Sequence, residues 1–127
     1  MQLDVELGVH PSQAGRARRL ITAQLAAWQL NGELGEATVL LVSELVTNAM
    51  RHGRDPIRML AGTTPAGLRV EIYDGNGDVF PAIRDLRPDA PGGRGLRLVD
   101  AFADRWGAVA AADGKCVWFE IDAEVHD

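Results

Sequence analysis

Cysteine is nearly absent from this sequence. Cys116 stands alone among 127 residues, so no internal disulfide can form and a reducing compartment is expected. No apolar run reaches membrane-spanning length, and the N-terminus carries no signal-peptide pattern. Positive charge is also in short supply. Thirteen Lys and Arg face eighteen Asp and Glu, for a net charge of −5. That balance excludes a general nucleic-acid or acidic-membrane binder, which needs a basic face, but it leaves room for a local phosphate pocket. Internal repeats and low-complexity tails are missing as well. The expectation is one cytoplasmic domain over residues 1–127 that contacts neither membrane nor nucleic acid directly. Hydrophobic residues make up 46% and charged residues 24%, an ordinary composition with enough apolar side chains for a core.

Periodicity divides the chain into elements. Leu3, Val5 and Leu7 alternate with polar residues as a strand. Ala17, Ile21, Leu25 and Trp28 have helical spacing from a start at His10-Pro11-Ser12 to about Leu30, with Asn31-Gly32 as the stop. Arg16, Arg18 and Arg19 lie at the wet end of that helix. A second helix spans about Glu33 to Arg51 and ends at Gly53. Ile57, Met59 and Ala61 form a strand, Thr64 to Gly67 a turn, and Leu68 to Asp74 a second alternating strand. Residues 75–92 are rich in Gly, Pro and charge, and a loop this long in a small domain tends to be a lid or binding loop. Gly93 opens a short helix with Leu96, Val99 and Phe102 on its apolar side. A hairpin from Trp106 to Asp122, turning at Asp113-Gly114, ends the fold. Hairpins dominate this order. The predicted class is α/β of the α+β kind: a two-layer sandwich of a mixed, mainly antiparallel sheet with about three helices on one face.

Three clusters carry candidate chemistry. On the second helix Glu44, Thr47, Asn48 and Arg51 recur at i, i+3, i+4 and i+7, one polar face on a helix otherwise lined by Leu40, Leu41, Val42, Leu45, Val46, Ala49 and Met50. A half-buried carboxylate and carboxamide one turn apart need partners. Magnesium takes such oxygens, with waters and substrate phosphates completing its shell. A solvated helix face accounts for the same residues equally well when the segment is read alone. Asp74 falls in the apolar row Leu68, Val70, Ile72, at the mouth of the glycine-rich loop. An inward acid there suits a specific hydrogen-bond donor such as the exocyclic amine of a purine, while Asp-Gly-Asn-Gly is also ordinary turn chemistry. Finally, Gly92-Gly93-Arg94-Gly95 at a helix start lets backbone amides approach a phosphate. It is neither a Walker A loop nor a dinucleotide fingerprint. Trp28, Trp106 and Trp118 are expected to pack in the core or at its edge, and Cys116 to be a packed thiol. His52 reads as a helix-end cap, and His10 and His126 as surface residues.

In this order the clusters resemble the N box and the two glycine boxes of the GHKL ATPase superfamily. The closest likeness is to its short stand-alone members, the anti-sigma-factor serine kinases and related ATP-binding regulators. Ser43 to Ala49, Arg94 to Asp100, Asp104 to Gly107 and Val117 to Glu120 carry that likeness, which extends over nearly the whole chain. The resemblance implies the Bergerat ATP-binding fold with ATP and Mg2+ as cofactors. It implies that Asn48 ligates the magnesium and that Glu44 is the general base or hydroxyl orienter. Asp74 would accept from the adenine amine, and Gly75, Asn76 and Gly77 would shape the adenine side. Gly93, Arg94, Gly95 and Leu96 would hold the phosphates, and residues 75–92 would form the lid. Two departures stand out. Asn76 and Asp78 occupy the glycine positions of the family's Asp-x-Gly-x-Gly run, and Lys115-Cys116 stand where relatives often have a threonine near adenine. The implied function is an anti-sigma factor with protein serine/threonine kinase activity toward an anti-sigma-factor antagonist. Its partners would be a sigma factor, the antagonist, or both, with homodimerisation as found among such proteins. The alternatives are a non-catalytic ATP-binding partner module and the catalytic module of a histidine-kinase-like system.

Overall fold

Strand alternation sends the apolar rows of the sheet toward the helices, and the computed structural model follows it. The structure describes residues 2–52, 54–76, 93–111 and 114–123, with the backbone alone at His52 and at 93–96. The elements run β1 (Leu3–Leu7), α1 (Ser12–Ala27), α2 (Glu33–His52), β2 (Ile57–Thr63), β3 (Gly67–Asp74), α3 (Gly93–Phe102), β4 (Arg105–Ala111) and β5 (Gly114–Asp122). The five described strands form one open sheet in the order β1-β2-β3-β5-β4. Every pairing is antiparallel, so the sheet shows no parallel pair where a mixed sheet was allowed for. The predicted two layers and the helices on one face are as expected.

The core lies between the layers. Ile57, Met59 and Ala61 of β2, Val70 and Ile72 of β3, and Val117, Phe119 and Ile121 of β5 are buried against α1 and α2. From α1 come Ala14, Ala17, Ile21 and Leu25, spaced along one helical face. From α2 come Leu41, Val42, Leu45, Val46 and Ala49. Glu33 and Glu36 occupy the first turn of α2, where the helix dipole favours negative charge. Two apolar residues depart from the sequence reading. Leu40 is 39% and Phe102 50% exposed. Both border an open groove between α2, α3 and the end of β5, so nothing among the described residues covers them. Leu98 packs on the core beside Val99 in place of Phe102.

The first helix also ends earlier than Leu30. The Gln29 N–H donates to the Ala26 carbonyl and the Leu30 N–H to the Leu25 carbonyl, at 3.0 and 2.9 Å. This is a Schellman closure, and it places Gln29 at φ 60°, the left-handed region usually given to glycine. Asn31-Gly32 therefore belongs to the link rather than to the helix end. Gln29→Gly is expected to raise the unfolding free energy by about 0.5–1 kcal/mol in urea denaturation, since glycine escapes the Cβ clash of the left-handed region.

The outer face of the sheet is polar. Arg58 makes a two-pronged pair with Asp4, at 2.7 and 2.6 Å. Arg69 and Arg105 both reach Glu120, at 3.1 and 2.8 Å, and Arg105 also pairs with Asp122. These arginines hold the Glu120 carboxyl below its usual range, Arg105 most strongly. Trp118 lies on this face, with the Arg69 guanidinium 4.2 Å from its ring centre.

Candidate functional site

Asp74 ends β3 on the core-facing side, 6% exposed, as the alternation from Leu68 requires. Its Oδ1 accepts the Asn76 N–H at 2.8 Å, the closure of an Asx-type turn over Asp74-Gly75-Asn76. A second partner comes from across the sheet. Lys115 is the register partner of Asp74 on β5. Its ammonium donates to Asp74 Oδ1 at 3.1 Å and to the Asn76 carbonyl at 3.0 Å, and it lies 3.1 Å from Asp74 Oδ2. The two side chains are 8% and 4% exposed. Among the described residues no buried side-chain nitrogen or oxygen lacks a partner, and Asp74, Asn76 and Lys115 satisfy one another in this cluster.

The backbone around Asp74 is equally tight. The Gly75 N–H donates to the Arg54 carbonyl at 2.7 Å. This ties the mouth of β3 to the chain just beyond α2. A Cβ on Gly75 would overlap the Asp55 carbonyl oxygen, and one on Gly114 the Asp74 carbonyl oxygen. Glycine at both places is a requirement of close approach.

Glu44 and Asn48 lie one turn apart on α2, both half-buried, as the polar stripe predicted. Between them the Thr47 hydroxyl bonds back to the Ser43 carbonyl at 2.7 Å, which satisfies it locally. Ser43 Oγ accepts from the Arg18 guanidinium at 3.1 Å. Arg51, at the far end of the stripe, is exposed. No group of three or more His, Cys, Asp or Glu among the described residues could hold a metal by itself. Magnesium at this face would arrive with phosphates, with the Asn48 carboxamide oxygen as a protein ligand.

The backbone of 93–96 forms the first turn of α3, which lies against α2. Gly93, Arg94, Gly95 and Leu96 thus sit where a phosphate-binding helix start was expected, although only their backbone is described. Gly77, Asp78, Asp113 and His126 lie outside the described residues, as does all of the lid expected over 75–92 except Gly75 and Asn76.

Lys115 and Cys116 separate onto opposite faces. Cys116 is buried on the outer side beside Tyr73, and burial pushes its thiol up to about 11. Burial likewise pushes the Tyr73 hydroxyl up to about 12, aided by Cys116 and the Glu71 carboxylate. At neutral pH the thiol stays protonated, a packed group and not a nucleophile. The engagement of Lys115 with Asp74 is the feature that sequence reading missed. A signal for it existed: Lys115 shares the parity of Val117, Phe119 and Ile121, so a lysine heads a core-facing row.

The residues therefore fit the phosphate side of a magnesium-nucleotide site, through Glu44 and Asn48. The base side does not offer the free carboxylate that the resemblance implies. A family model for the histidine kinase-like ATPase domain matches residues 8–121. No curated protein matches the sequence. Among solved structures, the chain is similar to the histidine kinase domain from the Erythrobacter litoralis EL346 blue-light activated histidine kinase, with a TM-score of 0.57 and 20% identity. That match covers 87% of this chain and 59% of the other, so the chain spans about three-fifths of the other's length, and at this identity the likeness speaks to the fold.

Proposed function

Because the chain belongs to the histidine kinase-like ATPase domain family, we propose that it is an ATP-binding regulatory protein acting as an anti-sigma factor with serine/threonine kinase activity. Its substrate would be an anti-sigma-factor antagonist. The observation that carries this reading is the half-buried pair Glu44 and Asn48, one turn apart on a helix whose other faces are apolar. In phosphoryl transfer a protein mainly positions groups and neutralises charge. Asn48 supplies an oxygen to the magnesium that accompanies the phosphates. Glu44 orients the attacking hydroxyl and accepts its proton. The first turn of α3 presents backbone amides to the phosphates. ATP state would then alter the relative affinity for a sigma factor and the antagonist, a coupling between two binding events.

A second reading has its own support. Lys115 engages Asp74, the residue expected to hold adenine, and this favours a partner-binding module that holds nucleotide without catalysis. Calorimetry of Mg-ATP binding to the native chain and to Asn48→Ala tests the ground common to both. Binding that needs magnesium and falls about a hundredfold or more in Asn48→Ala is expected, the scale of losing a metal ligand and its charge-assisted contacts. Equal binding with and without magnesium, unchanged in Asn48→Ala, would overturn the site assignment.

A further inference from the structure

An ammonium carries three protons. That of Lys115 faces three acceptors: Asp74 Oδ1 at 3.1 Å, Asp74 Oδ2 at 3.1 Å and the Asn76 carbonyl at 3.0 Å. It is fully engaged within the protein. Asp74 Oδ1 holds the Asn76 N–H as well. Both side chains are more than nine-tenths buried. The backbone around them is fixed by Gly75 against Asp55 and by Gly114 against Asp74.

From this cluster we infer that Lys115 sets the base specificity of the pocket: it takes over the carboxylate that would read an exocyclic amine, so the pocket accepts nucleoside triphosphates without selecting adenine. The inference rests on the nucleotide-binding reading above and deepens it. The physical reason lies in how polar sites discriminate. A site rejects the wrong ligand strongly when that ligand leaves a buried polar group unpaired. A carboxylate satisfied only by an adenine amine would be stranded by guanine, and it would also face the guanine carbonyl oxygen with like charge. Asp74 is satisfied from within, so a base without the amine strands nothing. The neighbouring ammonium cancels the repulsion of a carbonyl oxygen. An adenine amine that reached the remaining lone pair of Asp74 Oδ2 would meet a carboxylate already satisfied by the Lys115 ammonium, so it would gain little over a base that lacks the amine.

The test compares Mg-ATP and Mg-GTP binding to the native chain and to Lys115→Thr, with nucleotide competition as the readout. In the native chain the two dissociation constants are expected within about tenfold of each other, the range left when no hydrogen bond decides. In Lys115→Thr the ratio is expected to move by about thirtyfold or more toward ATP, because Asp74 is released to read the amine. A native preference for ATP above about tenfold, or a ratio that Lys115→Thr leaves in place, overturns the inference while nucleotide binding stands. If Lys115→Thr fails to fold, the native ratio decides alone. ATP binding that appears only in Lys115→Thr overturns the inference, because the native pocket then does not accept ATP. No triphosphate bound by either folded protein overturns both readings.

Discussion

Replacing Lys115 by methionine is expected to cost about 3–5 kcal/mol of unfolding free energy, the range for removing one partner of a buried ion pair. Methionine keeps most of the apolar stem and its packing beside Val117, so the loss isolates the charge. What remains is the Asp74 carboxylate, 4% exposed at its side chain, with the Asn76 N–H as its partner among the described residues. The prediction does not require the pair to stabilise the fold on balance, because the desolvation of two ions offsets much of their attraction. It requires only that a single buried charge is worse than none. The double variant Asp74→Asn, Lys115→Met therefore recovers most of the loss, with a coupling of about 2 kcal/mol or more in the double-mutant cycle. Urea unfolding of the four proteins measures both quantities. A loss below about 1 kcal/mol in Lys115→Met would show that water reaches the pair, the behaviour of an exposed salt bridge.

The same residue shows where sequence reading stopped. Alternation located Asp74 at the end of a core-facing row, and period 3.6 located Glu44 and Asn48 on one helix face, since both rest on local geometry that tertiary packing preserves. The sheet's antiparallel character followed from its hairpins. Partnership across strands is different in kind. Asp74 and Lys115 are forty-one residues apart in sequence, and only the β3–β5 register brings them together. Parity alone places Lys115 on the inward row, but a lysine is so rarely buried that parity by itself does not mark it as the partner of a buried acid. Helix ends failed for a related reason. The stop after α1 was assigned to Asn31-Gly32 because glycine favours the left-handed conformation, whereas Gln29 adopts it, held by the Leu30–Leu25 hydrogen bond. Phe102 had helical parity with Val99, yet it is the last residue of α3, where little lies opposite to cover it.

Glu44→Gln is expected to reduce magnesium-dependent ATP turnover in the presence of an acceptor protein by about 10²–10⁴-fold, the usual contribution of a positioned general base. Glutamine has the shape of glutamate and keeps an oxygen acceptor, so the size and acceptor character of residue 44 are conserved. Only the capacity to take a proton is lost. The expected pattern is thus a fall in kcat with ATP affinity shifted by less than about tenfold, an interaction expressed in the transition state and not in the ground state. Asn48→Ala should behave in the opposite sense, losing nucleotide before chemistry is reached. ADP release against acceptor concentration, with ATP binding measured separately, distinguishes the two. If Glu44→Gln turns over ATP as the native chain does, residue 44 is a structural acid of the helix and another group moves the proton. If the native chain binds ATP yet releases no ADP with any acceptor, the Glu44 carboxylate has no hydroxyl to act on, and the fold serves as a nucleotide-gated scaffold for its partner. The choice between kinase and scaffold therefore falls on Glu44, while the choice of base falls on Lys115, and the two can be decided independently because they lie on different elements, α2 and β5.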